Sequence, residues 1–325
     1  MDVAALLGAP ALTGEMDRIE AALRSATTSM DPFLSEVAGH LVSAGGKRIR
    51  PALTVAAALA GGADANDDII QGGISVELVH IGSLYHDDVM DEADSRRGVQ
   101  SVNARWGNLT AILAGDFLLA KASEIAASLG TEVAGLLAAT IGRLCEGQVG
   151  ELRTAFNADR TEAQYLDSIA GKTASLTAAA CRIGGIVAGL PRNQIDALTT
   201  FGEAFGMVFQ IRDDCLDVTA TDEELGKPAG QDLVEGTYSL PVIRALATPG
   251  VGDELRPLLG RPLDHPEMEK ARAIIRSTGA VESALREADR YADVASAALS
   301  PLGEHPVAAA LAAAGHTLLE TRTAR

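Results

Sequence analysis

The sequence predicts an all-α fold in a single domain, and three observations carry the prediction. Alanine, leucine, glutamate and arginine recur throughout the 325 residues, and these are good helix formers. Apolar residues return at helical spacing, as in Ile74, Leu78, Ile81 and Tyr85, whereas no run alternates as a strand would. No linker rich in Pro, Ser or Gly divides the chain and no segment repeats, so one domain over 1–325 is expected, loose only before about residue 15. With 47% hydrophobic residues, such a chain can bury a sizeable core.

Turn-forming residues mark where the helices stop. The breaks fall at AGGKRIRP (44–51), LAGGADAND (59–67), SRRG (95–98), GLPRN (189–193), LGKPAGQDLVEG (225–236) and ATPGVGDE (247–254). Asp67 and Asp68 follow Gly and Asn and precede an apolar run, the pattern of a helix start where acids favour the dipole. TDEELG, 221–226, reads as a surface turn.

Against 27 Lys+Arg stand 44 Asp+Glu, a formal net charge of −17. Phosphate-backbone binding needs a basic face, so nucleic acid is excluded as a general partner and a phosphorylated ligand must be met by local cations. Cys145, Cys181 and Cys215 are odd in number and in no metal-ligand spacing; they read as small core residues of a reduced, cytoplasmic chain. MDVAALLG lacks a basic n-region, so no signal peptide is expected. The most apolar long stretch, ASLTAAACRIGGIVAGL, holds Arg182 and is short for a membrane span, so an integral membrane protein is not expected.

LYHDDVMDEADSRRG, 84–98, crowds Asp87, Asp88, Asp91, Glu92 and Asp94 into one short stretch. On a helix Asp87, Asp91 and Asp94 share a face, with Asp88 about 100° round from Asp87. Each close like-charge pair costs on the order of 1 kcal/mol in water. A charge run is usually a solvated face, but Ile81 and Leu84 make this segment too apolar to stand wholly in solvent. FQIRDDCLD, 209–217, repeats the i, i+1, i+4 spacing with Asp213, Asp214 and Asp217. Two such motifs on apolar helices, facing each other, would supply hard oxygen ligands to several Mg²⁺ ions, which bridge carboxylates to phosphates.

An anion must complete that coordination, and fixed cations stand near both motifs. GGKRIRP offers Lys47, Arg48 and Arg50 after a flexible glycine pair, and SRRG puts Arg96 and Arg97 beyond the first acids. GKT (171–173) and LGKP (225–228) present Lys172 and Lys227 at expected bends. GKT is not a P-loop, because EAQYLDSIAGKT lacks the earlier glycine and the strand that a Walker motif needs.

In order and spacing, GGKRIRP, HDDVMDEADSRRG, AGDFLLA, GKT, FQIRDDCLD and LGKPAGQDLVEG resemble the trans-type polyprenyl diphosphate synthases of the isoprenoid synthase fold. The resemblance covers the chain from about residue 40 to about residue 245. It implies a homodimer of helical bundles, each built around a central cavity. There an allylic diphosphate (dimethylallyl, geranyl, farnesyl or geranylgeranyl), held through three Mg²⁺, meets isopentenyl diphosphate held by basic side chains.

Carried over residue by residue, the resemblance gives Asp87, Asp88, Asp91, Asp213, Asp214 and Asp217 to the metals. It gives Arg96, Lys172 and Lys227 to the allylic diphosphate, and Lys47, Arg50, His80 and Arg97 to isopentenyl diphosphate. Thr173 and Gln210 would place oxygens near the developing cation. A lone histidine on an apolar helix is ordinarily a satisfied core residue, and only the family pattern lifts His80 above that. In the family's mechanism, charge stabilisation of the departing pyrophosphate ionises the allylic C–O bond. The isopentenyl double bond attacks, and the released pyrophosphate takes the proton. One departure stands out: EGTYSLP has Thr237 where the family often has lysine.

The family closes its product tunnel with a bulky residue four or five positions before the first Asp. Those positions are Ser83 and Gly82 here, followed toward the N-terminus by Val79, Leu78 and Ser75, none aromatic. The expected product is therefore longer than geranylgeranyl diphosphate, about C30 to C50, as in the side chain of menaquinone or another respiratory quinone; geranylgeranyl or farnesyl diphosphate is the shorter alternative. A class I terpene cyclase shelters long-lived cations with aromatic faces, for which 6 Phe, 4 Tyr and 1 Trp are few. A non-catalytic synthase subunit would have lost motif acids or arginines, and a metal-buffering protein would not need the cation clusters.

Overall fold

The structure, a computed structural model, describes residues 3–7, 12–225 and 228–321. Its longer helices are α1 (Leu12–Ala26), α2 (Ile49–Ala60), α3 (Asp67–Met90), α4 (Asn108–Ser128), α5 (Thr131–Thr154), α6 (Glu162–Ile169), α7 (Ser175–Val187), α8 (Arg192–Thr219), α9 (Leu240–Leu246), α10 (His265–Arg276), α11 (Ala280–Ala298) and α12 (Pro306–Glu320). Local chemistry sets several of their starts. The Asn66 side chain accepts from the Ile69 amide, with Asp67 and Asp68 in the first turn of α3, as the sequence predicts. Capping boxes open α6, through Thr161 and Gln164, and α10, through Asp264 and Glu267. TDEELG, expected as a turn, forms a one-turn helix at Asp222–Leu225 because Thr221 and Glu224 exchange hydrogen bonds there.

Two further expectations are corrected. GKT is not a bend: α6 continues through one π turn, Ala170–Ala174, directly into α7, and such widened turns put side chains where an α-helix would not. SRRG is not a simple break, and the chain is not wholly without strands. Ser95–Arg96 (β1) pairs antiparallel with Val99–Gln100 (β2), Ser95 opposite Gln100 and Arg96 opposite Val99. Arg97 and Gly98 join them at φ 55° and 76°, the two positive dihedrals that a tight hairpin turn requires.

α7 is the central helix, packed on α2, α3, α5 and α8, while α3 lies along α4 and α8 along α11. Buried apolar residues form one large cluster spanning α1 to α4, α7 and the first half of α8, and a second around the end of α8 with α9, α10 and α11. Cys181 and Cys215 lie in these cores, but Cys145 is exposed, because α5 turns that face outward. Among the described residues no helix is long and apolar enough to cross a membrane.

Candidate active site

Both acidic motifs lie at the ends of their helices. Asp87 and Asp88 occupy the last turn of α3 and Asp91 caps it, while Asp213, Asp214 and Asp217 occupy the last two turns of α8. Carboxylates at a helix C-terminus face the negative end of the macrodipole, an unfavourable placement until a cation arrives.

Glu151, near the end of α5, lies between the two motifs. Its charge reaches Asp87 and Asp91 of the first motif and Asp214 of the second, so both motifs lie near this one carboxylate. A backbone contact fixes this. A Cβ on Gly147 would come within 2.5 Å of the Lys172 amide nitrogen, and one on Gly171 within 2.7 Å of the Arg143 carbonyl. One turn along α5 from Gly147, Glu151 then meets Lys172 Nζ at 2.6 Å. Gly147→Ala is therefore expected to push α5 off the π turn, at a cost of about 1–3 kcal/mol by overpacking, and to separate this ion pair. Thermal unfolding checks it: an unchanged melting temperature would contradict the contact.

Asp214 anchors a hydrogen-bonded chain. Thr173 Oγ1 donates to Gln210 Oε1 at 2.8 Å, Gln210 Nε2 donates to Asp214 Oδ1 at 2.7 Å, and the Tyr165 hydroxyl donates to Asp214 Oδ2 at 2.6 Å. Burial nevertheless pushes the Asp214 carboxyl up to about 7, those donors opposing it. Burial likewise raises Asp87 to about 6 against the pull of Lys172. Burial works against the charge of Lys172, but Glu151 and Asp87 outweigh it and hold its pKa above the usual value. Asp88 is fully buried; Arg96 reaches its Oδ1 with Nε at 2.7 Å and Nη2 at 2.6 Å, and its Oδ2 has no partner among the described residues.

The raised Asp214 has a signed consequence for the metal-free protein. Between about pH 4 and about pH 7 the folded protein keeps a proton that the unfolded chain releases, so this group makes stability fall as pH rises through that window. Asp214→Asn removes the penalty. Its melting temperature relative to wild type should be higher at about pH 8 than at about pH 5; a difference independent of pH would contradict it.

The basic half of the cleft is built around Arg48. At φ 50° it turns inward, Nε 2.6 Å from Glu20, Nη1 3.4 Å from Glu77 and Nη2 donating to the Val42 carbonyl at 2.9 Å. Lys47 is left exposed on one side, and Arg50 stands in the first turn of α2. Arg97 Nη1 donates to the Leu41 carbonyl at 3.0 Å and the Gly45 carbonyl at 2.6 Å, so in this state it clamps the glycine loop. His80 is held well below its ordinary pKa by burial and by Arg50, Arg97, Arg96 and Arg48 around it, so it is a neutral imidazole among cations. Arg50 carries a buried Nε with no partner among the described residues.

The expected residues thus gather, with differences. Arg96 and Lys172 are paired with Asp88 and Glu151. Lys227 lies outside the described residues. Gly82 is packed closely on α4: a Cβ there would meet the Gly115 carbonyl at 3.1 Å and Leu119 at 3.4 Å. Ser83 is half-buried, one turn from Asp87 on the same face, its hydroxyl bonded, among the described residues, only to the His80 carbonyl of its own helix. Leu78, Val79 and Ser75 are fully buried. Glu151, Tyr165 and the structural role of Arg48 were missed; no sequence motif marks a partner so distant along the chain.

Among the described residues no three His, Cys, Asp or Glu side chains converge closely enough to hold an ion by themselves. The donor set still suits Mg²⁺, which keeps water and shares carboxylates with phosphates instead of taking a protein cage. The unpartnered Asp88 Oδ2 and the raised Asp87 and Asp214 are carboxylates short of positive charge.

A helical bundle, with one short hairpin, that brings two acidic motifs and a set of fixed cations together has the isoprenoid synthase fold and is a prenyltransferase. The polyprenyl synthetase family model matches residues 31–275, and the chain belongs to that family. A nonaprenyl diphosphate synthase of Mycobacterium tuberculosis is 39% identical over 316 residues, covering 96% of this chain and 94% of that one. The crystal structure of a decaprenyl diphosphate synthase from Rhodobacter capsulatus superposes with a TM-score of 0.88 at 35% identity over 98% of both chains. A geranylgeranyl pyrophosphate synthase from Corynebacterium glutamicum, solved with calcium and isoprenyl diphosphate, gives 0.84 at 38% identity over 96% of this chain and 98% of that one.

Proposed function

We propose that the protein extends an allylic diphosphate with successive isopentenyl diphosphate units to a long all-trans polyprenyl diphosphate of about C30 to C50, as in a quinone side chain. The observation that carries this reading is the shared cleft, in which Glu151 couples to both acidic motifs and neutral His80 sits among four arginines. Asp87, Asp88, Asp91, Asp213, Asp214 and Asp217 would hold Mg²⁺, three ions in the full complex, which supplies charge neutralisation for the departing pyrophosphate.

The chain's own residues do the rest. Lys172 and Arg96 exchange their present partners, Glu151 and Asp88, for oxygens of the allylic diphosphate. Lys47, Arg50 and Arg97 bind isopentenyl diphosphate, with a ring N–H of neutral His80 as a further donor. Thr173 and Gln210, already locked together, turn acceptor oxygens to the developing allylic cation. Leu78 and Val79 keep the wall of the growing tail apolar.

A long product is favoured by the absence of a bulky residue at Ser83 and by the names of the nonaprenyl and decaprenyl relatives. A homodimer is favoured by the exposed apolar faces of α4 (Leu109, Ile112, Leu113) and α5 (Val149, Leu152), which a second copy would cover. Incubation with Mg²⁺, labelled isopentenyl diphosphate and geranylgeranyl diphosphate, followed by sizing of the extract, tests the length. Products beyond C20 are expected; failure to extend this primer would limit the enzyme to geranylgeranyl diphosphate or shorter.

A further inference from the structure

Arg160, in the loop between α5 and α6, is 4% exposed. Its guanidinium makes one hydrogen bond, from Nη1 to the Tyr238 carbonyl at 3.2 Å, and lies over the Tyr165 ring, 5.5 Å from its centroid. Nε and Nη2 are buried with no partner among the described residues. A guanidinium so placed needs compensating charge. Glu151, Asp214 and Asp232 are the carboxylates in its electrostatic reach. Asp214 belongs to the second acidic motif and Asp232 borders it: Tyr165 joins Arg160 to Asp214, and the Asp232 amide donates to Asp217 Oδ2.

Arg160 is thus a fixed cation behind the acids that the proposed function gives to magnesium. A divalent ion arriving alone at those acids is opposed by it, whereas an ion arriving with an anion is not. The buried nitrogens without partners among the described residues add donors that an anion or a rearranged carboxylate would satisfy with charge as well as with a hydrogen bond. Thr237, uncharged where the resemblance led to lysine, is the neighbour of Tyr238, whose carbonyl holds Arg160. Arg160 thus bonds to the backbone one residue along from position 237.

We propose that Arg160 makes cation binding at the second acidic motif conditional on diphosphate, so that the two load as a unit. The proposal rests on the reading of the cleft given above. Coupling of this kind is reciprocal: the factor by which diphosphate tightens the metal is the factor by which the metal tightens diphosphate.

The test is calorimetric titration of the full chain with Mn²⁺ alone, with Mn²⁺ in the presence of inorganic pyrophosphate, and with pyrophosphate in the presence of Mn²⁺. It compares wild type, Arg160→Gln (which keeps a donor for the Tyr238 carbonyl), Arg160→Met and Arg160→Lys, each checked by thermal unfolding. In the Gln and Met variants Mn²⁺ alone should bind several-fold tighter and the coupling factor should fall several-fold, while Arg160→Lys stays near wild type. Unchanged coupling in a folded neutral variant, or equal weakening of both ligands, would overturn the proposal and leave Arg160 a structural residue. Wild-type protein that binds no pyrophosphate even with Mn²⁺ would overturn the reading of the cleft itself, and the Arg160 proposal with it.

Discussion

Asp87→Ala should lower kcat/KM for chain elongation by about 10³-fold or more, on the scale of losing a group that stabilises developing charge, without lowering the melting temperature. Both halves follow from where the residue sits. Asp87 is half-buried in the last turn of α3, its carboxyl raised to about 6 because burial, helped by Asp91, outweighs the pull of Lys172 and Arg96. Removing it relieves the burial of a charge, the repulsion from Asp91 and an unfavourable dipole contact in the metal-free protein, which together outweigh the lost attraction to Lys172, so stability should hold or rise. Activity cannot hold if the carboxylate carries the metal. Steady-state kinetics beside a melting curve separates the outcomes: activity within tenfold of wild type, or a large loss of stability, would contradict the assignment.

Ser83→Phe should shorten the product to C20 or less. Ser83 lies one turn before Asp87 on the same face, and among the described residues its hydroxyl bonds only the His80 carbonyl of its own helix, so a larger side chain breaks no tertiary hydrogen bond there. The first condensation should survive, because the acids and cations are untouched, while later ones lose the space for the tail. Gly82→Phe is no substitute. It would drive a side chain into the Gly115 backbone of α4 and test packing instead of length. A Ser83→Phe enzyme with the wild-type product ladder would show that the tail runs past another face of α3.

What the sequence disclosed and what it hid divide along the range of the interactions. The start of α3 was legible because Asn66, Asp67 and Asp68 act within one turn. The acidic motifs were legible because i, i+1, i+4 spacing on an apolar helix has few other uses. GKT was misread as a bend because glycine beside lysine usually signals one. Gly171 is instead in the helical run and is small so that Gly147 can approach it. Gly82 is also a close-packed glycine, its missing side chain serving contact with α4.

Longer-range pairings gave no signal. Glu151 carries no motif, and it enters the site because α5 crosses the π turn. The hairpin at 95–100 sends adjacent arginines to different partners, Arg96 to Asp88 and Arg97 to the Gly45 loop. A positive charge count near the motif could foresee the cations but not this division between them.

The most direct measurement is a single turnover with one equivalent each of geranyl diphosphate and labelled isopentenyl diphosphate, with Mg²⁺ and again with the metal chelated. With Mg²⁺ the label should appear in a C15 diphosphate with one equivalent of inorganic pyrophosphate released, and neither should form without metal. Pyrophosphate released with the geranyl chain recovered as an alcohol or a cyclic hydrocarbon, and the label still in isopentenyl diphosphate, would contradict chain elongation.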